Sequence, residues 1–338
     1  MQLNERIIAF SKLGEVIVRS NEELEAQVGK ARYMNPWFTN ESIWDSLNAI
    51  RSNFLNRDNL ESWLNDYKLT EISSPKSVGL ILAGNIPLVG FHDVLSVLIT
   101  GHKALIKYSE KDTVLTSFLL NELVKIEPRF DKQIEVQERL KDFEIVIATG
   151  SNNTGKYFEK YFCKVPNVIR KNRNAVGVIY NDVNDTDLKE IGKDIFQYYG
   201  LGCRNVSKLY IEDSFKIDRL FESIYDYYEV INHNKYKNNY DYSNALFLLN
   251  SEKFLTNDFL ILRPHTDIAS RIATVHFEIF TDTNVLVNHL NENANNIQCV
   301  VSSKPINGVK TFDLGQAQSP SLSDYADGVD TISFLKNI

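Results

Sequence analysis

What most constrains this chain is a change of texture at Ser77. From there, short apolar segments bounded by turns alternate with longer stretches of helical spacing. SVGLILA is followed by the turn GNIP, the helical HDVLSVLITG and a second strand, KALIKYS. Helical spacing resumes from Leu115 to Ile126, a further segment spans Gln133 to Lys141, and EIVIAT runs up to Gly150. AVGVIY, the acidic turn NDVNDTD and the helix DLKEIGKDIFQYY continue the alternation to Gly200-Leu201-Gly202-Cys203 and the strand SKLYI, and VHFEIF and VLVNHL bring it back downstream. Between them Asn232 to Asn244, NHNKYKNNYDYSN, reads as a surface loop with aromatic anchors. Such alternation predicts an α/β fold with parallel strands, whose ligands bind at the strands' carboxyl ends.

The flanks read differently. Ile7, Ile8, Phe10, Leu13, Val16 and Ile17 follow helical spacing, Asn21 stands where it can cap a second helix, and Ile43, Trp44, Leu47, Ile50 and Phe54 form one apolar stripe after Thr39. The first 66 residues therefore predict a helical arm with nothing catalytic in it. The tail from Lys304, broken by Pro305, Gly308, Gly315, Pro320 and Gly328, predicts short pieces that wrap back onto an earlier domain. At 338 residues there is room for about two domains.

Composition removes several classes. With 43% hydrophobic and 24% charged residues the chain is not disordered, and a formal charge of −7 argues against a nucleic-acid binder. The longest apolar runs, Val78 to Ala83 and Val94 to Thr100, are far shorter than the roughly 20 residues of a membrane span. The start MQLNERIIAF lacks the features of a signal peptide, so the expected location is the cytoplasm. Three cysteines make no disulfide framework, and His92, His102, His233, His265, His276 and His289 show no zinc-ligand spacing.

Three loops carry residues suited to chemistry. In Ala83-Gly84-Asn85-Ile86-Pro87 the Asn amide can donate a hydrogen bond into a cleft, or serve simply as a turn residue. Thr149-Gly150-Ser151-Asn152-Asn153-Thr154-Gly155-Lys156 joins a strand to a helix start, whose amides suit a phosphate or pyrophosphate. Gly150, Gly155 and Lys156 also satisfy G-x-x-x-x-G-K, but Tyr157 stands where a P-loop needs Ser or Thr for magnesium. Cys203, flanked by Gly202 and Arg204, is reachable from solvent, and Arg204 favours its thiolate if the side chain turns that way. Cys163 and Cys299, among apolar or bulky neighbours, read as small buried hydrophobes. His92 is the histidine to watch, with a helix-start residue in ordinary contacts as its plainer reading.

Taken in order, these loops resemble the aldehyde dehydrogenase superfamily from about Ser77 onward, and the chain looks most like its short branch, the LuxC-like acyl-CoA reductases of the bacterial luminescence type. LAGNIPLVGFHDVLSVLITGHKALIKYSE is similar to the stretch reading P-W-N-F-P, a helix, then G-N-x-x-V-x-K-x-S-E. On that resemblance Asn85 is the oxyanion-hole amide, and Lys107 and Glu110 lie near the adenosine ribose. ATGS resembles the T-G-S turn, which implies Gly150 and Ser151 at the cofactor pyrophosphate. GLGC resembles G-Q-x-C, which makes Cys203 the nucleophile. VHFEIF resembles E-E-I-F, which puts Glu278 on the nicotinamide ribose and Phe280 against the nicotinamide.

The implied fold is a Rossmann-type dinucleotide-binding domain plus an α/β catalytic cysteine domain. Its expected layout is residues 1–170 for the helical arm and NAD(P)-binding domain, 171–303 for the catalytic domain and 304–338 for a segment returning to the cofactor domain. One departure matters. Where aldehyde-oxidising members carry E-L-G-G-K, with a Glu that activates water, this chain has Ile169-Arg170-Lys171-Asn172-Arg173. Ile169 is no base, which suits an acyl group exchanged with a thiol such as coenzyme A. Arg170, Lys171 and Arg173 either hold an anionic cofactor or CoA phosphate, or form a solvated basic turn.

The expected activity is NAD(P)H-dependent reduction of an acyl-CoA, with a fatty acyl group implied by the luminescence relatives. Two alternatives stand beside it: an acyl-phosphate reductase of the same fold, and a non-catalytic acyl-carrying or scaffold subunit. Lys107 suits the 2′-phosphate of NADP and Glu110 the ribose diol of NAD, and the resemblance points to NADP. It also implies an acyl-protein synthetase or acyltransferase partner. The superfamily's pairing hairpin finds little room in residues 56–76, which leaves homo-oligomerisation open.

Overall fold

A computed structural model of the chain describes residues 1–69, 72 and 74–338. Residues 70, 71 and 73, within the stretch searched for a pairing hairpin, lie outside the described residues. The chain divides into two units, residues 1–172 with 320–338, and residues 173–319.

The first unit begins with the predicted helical arm: α1 (Leu3–Val16), α2 (Glu22–Met34), α3 (Asn40–Ala49) and α4 (Arg57–Asn65). Asn21 caps α2 by accepting from the amides of Glu23 and Leu24, and Thr39 caps α3. There follow β1 (Ser77–Ile81), α5 (Phe91–Thr100), β2 (Lys103–Lys107), α6 (Val114–Ile126), β3 (Ile134–Val136), β4 (Ile145–Thr149), α7 (Asn152–Phe162) and β5 (Asn167–Arg170). The five strands pair in parallel in the order β3-β2-β1-β4-β5. Phe10, Leu13, Trp44 and Leu47 from the arm join Val94, Leu98 and Leu115 of α5 and α6 in one buried core. Sequence periodicity found the arm because its helices bury only one face each.

The second unit comprises β6 (Asn174–Ile179), α8 (Asp185–Phe196), β7 (Val206–Glu212), α9 (Ile217–Ser223), α10 (Asn234–Leu249), β8 (Leu255–Thr256), β9 (Ile261–Pro264), β10 (Thr274–Phe280), α11 (Thr283–Glu292), β11 (Ile297–Ser302) and β12 (Thr311–Asp313). Its sheet runs β12-β11-β6-β7-β10-β9-β8, parallel throughout except for the antiparallel β8.

The Asn-rich stretch expected to be a loop is mostly helix. In α10 the buried residues Tyr236, Tyr240, Ser243 and Phe247 recur every three or four positions. Tyr236 and Tyr240 bury their rings while their hydroxyls reach the Phe259 carbonyl at 2.9 Å and Thr256 Oγ1 at 2.7 Å. Asparagine's poor helix propensity is overridden by this packing, and His233 supplies the cap.

The tail divides. Residues 304–319 stay with the second unit, where β12 extends the sheet, whereas 320–338, ending in α12 (Thr331–Lys336), belong to the first. There Tyr325 accepts from Trp63 Nε1 at 2.7 Å, and the His102 ring meets the Leu335 carbonyl at 3.2 Å.

Candidate active site

In the first unit the strand order reverses about β1: β2 and β3 lie to one side, β4 and β5 to the other. A reversal of this kind opens a crevice at the carboxyl ends of the two central strands, where open α/β sheets take their ligands. The segments after β1 and β4 are Gly84-Asn85-Ile86 and Gly150-Ser151, two of the three loops singled out from sequence.

The turn carrying Asn85 is held rigidly. A Cβ on Gly84 would come within 2.6 Å of Ser109 Oγ, so only glycine lets the two loops approach so closely. Leu88 takes a left-handed φ of 58°, and its N–H donates to Asp112 Oδ2 at 2.6 Å. Ser46 on α3 donates to the Pro87 carbonyl at 2.7 Å. Asp112 itself is buried, which pushes its carboxyl up to about 6, and its Oδ1 has no hydrogen-bond partner among the described residues. Asn85 sits half-buried within this frame.

After β4, Ser151 is the N-cap of α7 and its hydroxyl accepts from the Thr154 amide at 3.2 Å. A Cβ on Gly150 would meet Thr154 and Phe158 at 3.1 Å, so glycine brings the helix start close to the strand end. Helix starts with a capping hydroxyl and first-turn amides are suited to a pyrophosphate. The P-loop reading fails here on geometry. Only Gly150 and Ser151 separate β4 from α7, and Gly155 and Lys156 already lie inside the helix, so no phosphate-wrapping loop exists. At the end of β2, Lys107 donates to the Glu138 carbonyl at 2.9 Å, and Glu110 is exposed in the loop that follows. A helix-start anion site, a cation at the second strand end and the reversal between β1 and β4 fit a dinucleotide.

In the second unit Cys203 stands in the turn between α8 and β7, neither buried nor fully exposed. The chain reaches it through an unusual path. Tyr198, Tyr199 and Gly200 take left-handed φ values of 53°, 59° and 76° in succession. Bulky residues there cost about 1–3 kcal/mol each, so the surroundings must hold them. Asn205 does much of that holding. Its side chain donates to the carbonyls of Asp194, Ile195 and Gln197, and accepts from the Gly202 amide at 2.8 Å.

Arg204 was expected to favour the thiolate if turned toward it. Its guanidinium donates to the Ala317 carbonyl at 3.2 Å and lies over the Phe312 ring. Asp194 reaches the same segment, accepting from the amides of Gly315 and Ala317 at 2.6 and 2.9 Å, and burial pushes its carboxyl up to about 7. None of these bracing roles was foreseen. The signals were an Asn two residues after the cysteine and an Asp on the apolar side of α8.

On β10 Glu278 forms an ion pair with Lys208, which is fully buried and also donates to the carbonyls of His265 and Thr266. A lysine in the middle of the apolar strand β7 was the missed sign of a buried charge needing a partner. Phe280 is 9% exposed and packs edge-to-face on Tyr180 at 5.4 Å within an apolar cluster.

The basic stretch is corrected at Arg170; Lys171 is exposed, in keeping with a solvated turn. Arg170 is neither a phosphate ligand nor solvated; it is buried, with Asp93 Oδ1 at 2.6 Å and the Ala326 carbonyl at 2.7 Å as partners. Lys171 pairs with Glu159 on α7, and Arg173 donates to the Ala294 carbonyl at 3.4 Å. Ile169 packs at the apolar cluster of Val146, Ala148 and Phe162. Cys299 is buried as expected, but Cys163 is exposed, because Phe162 takes the inward position and the next residue turns outward. His92 lies among the rings of Phe54, Trp63 and Tyr325 and bonds the Leu322 carbonyl at 2.9 Å, in line with its plainer reading. No helix among the described residues is long and apolar enough to cross a membrane.

A family profile described as acyl-CoA reductase (LuxC) matches residues 9–224. No curated protein matches the chain. Among solved structures, aldehyde dehydrogenase 21 from Physcomitrella patens, in complex with the reaction product succinate, is 14% identical with a TM-score of 0.70, the match covering 100% of this chain and 84% of that one. Betaine aldehyde dehydrogenase from Staphylococcus aureus in complex with NAD+ is 16% identical with a TM-score of 0.67, over 94% of this chain and 72% of that one. An NAD-dependent aldehyde dehydrogenase from Sinorhizobium meliloti gives 14% identity and a TM-score of 0.67, over 89% and 70%. At such identities the likeness is one of fold.

Proposed function

The chain belongs to the acyl-CoA reductase (LuxC) family and has the aldehyde dehydrogenase fold, and from that premise we propose that it reduces a fatty acyl-CoA to the aldehyde with NADPH through an acyl-enzyme on Cys203. The observation that carries the reading is the presentation of Cys203, a partly exposed thiol on a turn whose conformation is fixed from both ends.

In this reading the Cys203 thiolate attacks the thioester carbonyl, the bond to the coenzyme A sulfur breaks, and coenzyme A leaves as its thiolate. The Asn85 amide and the Cys203 backbone N–H stabilise the negative charge on the carbonyl oxygen. Lys107, Glu110, Gly150 and Ser151 of the first unit, with Glu278 and Phe280 of the second, are assigned to holding the nicotinamide cofactor. Bound there, it supplies the hydride that reduces the acyl group. Cys203 carries the resulting thiohemiacetal, whose collapse releases the aldehyde and returns the thiolate. Ile169, in place of the water-activating Glu, offers no base to hydrolyse the acyl-enzyme. An acyl-protein synthetase or acyltransferase partner and a cytoplasmic setting belong to the same proposal.

The test is oxidation of NADPH and NADH with acyl-CoAs of increasing chain length, with free coenzyme A assayed in parallel, for the wild type and Cys203→Ala. Matched cofactor oxidation and coenzyme A release, lost in Cys203→Ala, supports the reading and gives the chain preference. Coenzyme A release without oxidation identifies an acyl-carrying subunit, and turnover of acyl phosphates alone identifies the acyl-phosphate reductase.

A further inference from the structure

Gly202 and Asn205 are joined twice. The Asn205 backbone N–H donates to the Gly202 carbonyl at 3.1 Å, and the Asn205 side-chain oxygen accepts from the Gly202 amide at 2.8 Å. Cys203 and Arg204 are therefore the two central residues of a turn closed by a pair of hydrogen bonds. The other half of the same side chain faces the end of α8, where its amide group donates to the carbonyls of Asp194, Ile195 and Gln197 at 3.1, 3.3 and 2.7 Å. Asn205 is 2% exposed, so no water competes for these bonds.

We infer that Asn205 is the positioning residue for the nucleophile: it fixes the turn that presents Cys203 and neutralises the carbonyl end of α8 behind it. The inference rests on Cys203 being the nucleophile.

Two physical arguments carry it. The last carbonyls of a helix have no partner within the helix and concentrate the negative end of its dipole. Left bare behind the turn, they would disfavour a thiolate on it; the amide of Asn205, two residues after Cys203, is placed among them and removes that penalty. The second argument is strain. Tyr198 and Tyr199 occupy left-handed backbone immediately before the turn, and such residues persist only where the surroundings over-determine them. Asn205 bonds the carbonyls on one side of this strained stretch and the amide of Gly202 on the other. Two further braces lie around the same turn. Arg204 donates to the Ala317 carbonyl, and Asp194 accepts from the amides of Gly315 and Ala317. A short polar side chain with both a donor and an acceptor end is required at position 205, and aspartate cannot replace it: ionised it has only acceptors, and protonated it offers one donor hydrogen where the amide offers two.

The experiment uses the full chain carrying Asn205→Ala or Asn205→Asp, and follows alkylation of Cys203 by iodoacetamide across pH, resolved from Cys163 and Cys299 by peptide mass spectrometry. In both variants the midpoint of the alkylation profile should move up by about one pH unit, cutting reactivity at neutral pH about tenfold. The kcat should fall at least as far while the KM for NADPH stays within about twofold, because the cofactor's first-unit site is untouched. A role in stability alone would lower the unfolding midpoint and leave the alkylation midpoint where it is; that result in folded variants overturns the inference. Should either variant fail to fold, hydrogen exchange on the wild-type chain decides. A Gly202 amide that exchanges far more slowly than an open turn supports the bracket, and exchange at the open-loop rate overturns it. Cys203→Ala keeps the two ideas separable. If that variant turns over, the nucleophile itself is wrong; if it is inactive while the Asn205 variants behave as wild type, only the positioning role falls.

Discussion

The guanidinium of Arg170 meets the carboxylate of Asp93 at 2.6 Å, Nη2 to Oδ1, with the two side chains 4% and 12% exposed. The same guanidinium donates to the Ala326 carbonyl and Thr331 Oγ1. One residue at the end of β5 thereby holds α5 and the returning C-terminal segment within the first unit. Burial turns what reads as a basic surface turn into an internal fastening.

Removing one partner of a buried pair strands the other. Arg170→Ala should therefore cost about 3–5 kcal/mol, read as a lower denaturant midpoint at unchanged slope. Arg170→Met combined with Asp93→Leu should recover most of that loss, since no buried charge is then left alone. A single-variant loss below about 1 kcal/mol would place the pair among surface ion pairs instead.

The Asn85 turn depends on the missing side chain at Gly84. Gly84→Ala sets a methyl 2.6 Å from Ser109 Oγ and 2.7 Å from Ser109 Cβ. The overpacking should cost about 1–3 kcal/mol, and it should lower kcat because the turn moves with it. Adding Ser109→Gly removes both atoms and should restore stability and turnover; no rescue would show that the damage arises elsewhere.

Lys107 distinguishes the two cofactors. If its ammonium serves the 2′-phosphate, Lys107→Ala forfeits a hydrogen bond to a charged group, worth about 1.5–3 kcal/mol, or roughly tenfold or more in the KM for NADPH. The KM for NADH should change less than about threefold, since no such bond is made. Equal effects on both cofactors would remove Lys107 from phosphate recognition.

Asp194 makes stability depend on pH with a definite sign. In the unfolded chain its carboxyl titrates at the ordinary value of 3.8, whereas burial holds its proton in the folded chain up to about 7. Its contribution to stability is thus complete below about 3.8 and is lost as pH rises through about 7. Between pH ~5 and ~8 the wild type should lose more unfolding free energy than Asp194→Asn, which has no proton to release. His102 and His276, whose buried rings titrate below the usual value, act in the opposite direction but are common to both proteins and cancel in the difference. Parallel curves for the two proteins would show that Asp194 does not titrate in this range.

Legibility followed the kind of signal each element carries. The arm, β1 and the helix opening at Asn152 were readable because apolar spacing, capping residues and turn glycines act locally. The helix α10 was not, since its Asn-rich polar face masks a stripe of two tyrosines, a serine and a phenylalanine that becomes visible only when the neighbouring strands bury it. Likewise Lys208 on an apolar strand announced a buried charge, but not that Glu278, seventy positions away, would be its partner.

The sequence by itself determined the class of fold, the alternation of strand and helix from Ser77 to the cysteine turn, and the loops bearing Asn85, Ser151 and Cys203, because periodicity, glycine turns and a motif order are properties of the chain read in line. Tertiary structure alone decided that Arg170 is internal, that Cys163 faces outward, and that Asn205 and Asp194 brace the cysteine turn. For Arg170 and Asp194 the outcome depends on groups that meet across long stretches of chain and lose their water together; for Cys163 and Asn205 the neighbours are near in sequence, but which side is buried is decided by packing, and burial leaves no mark in local spacing.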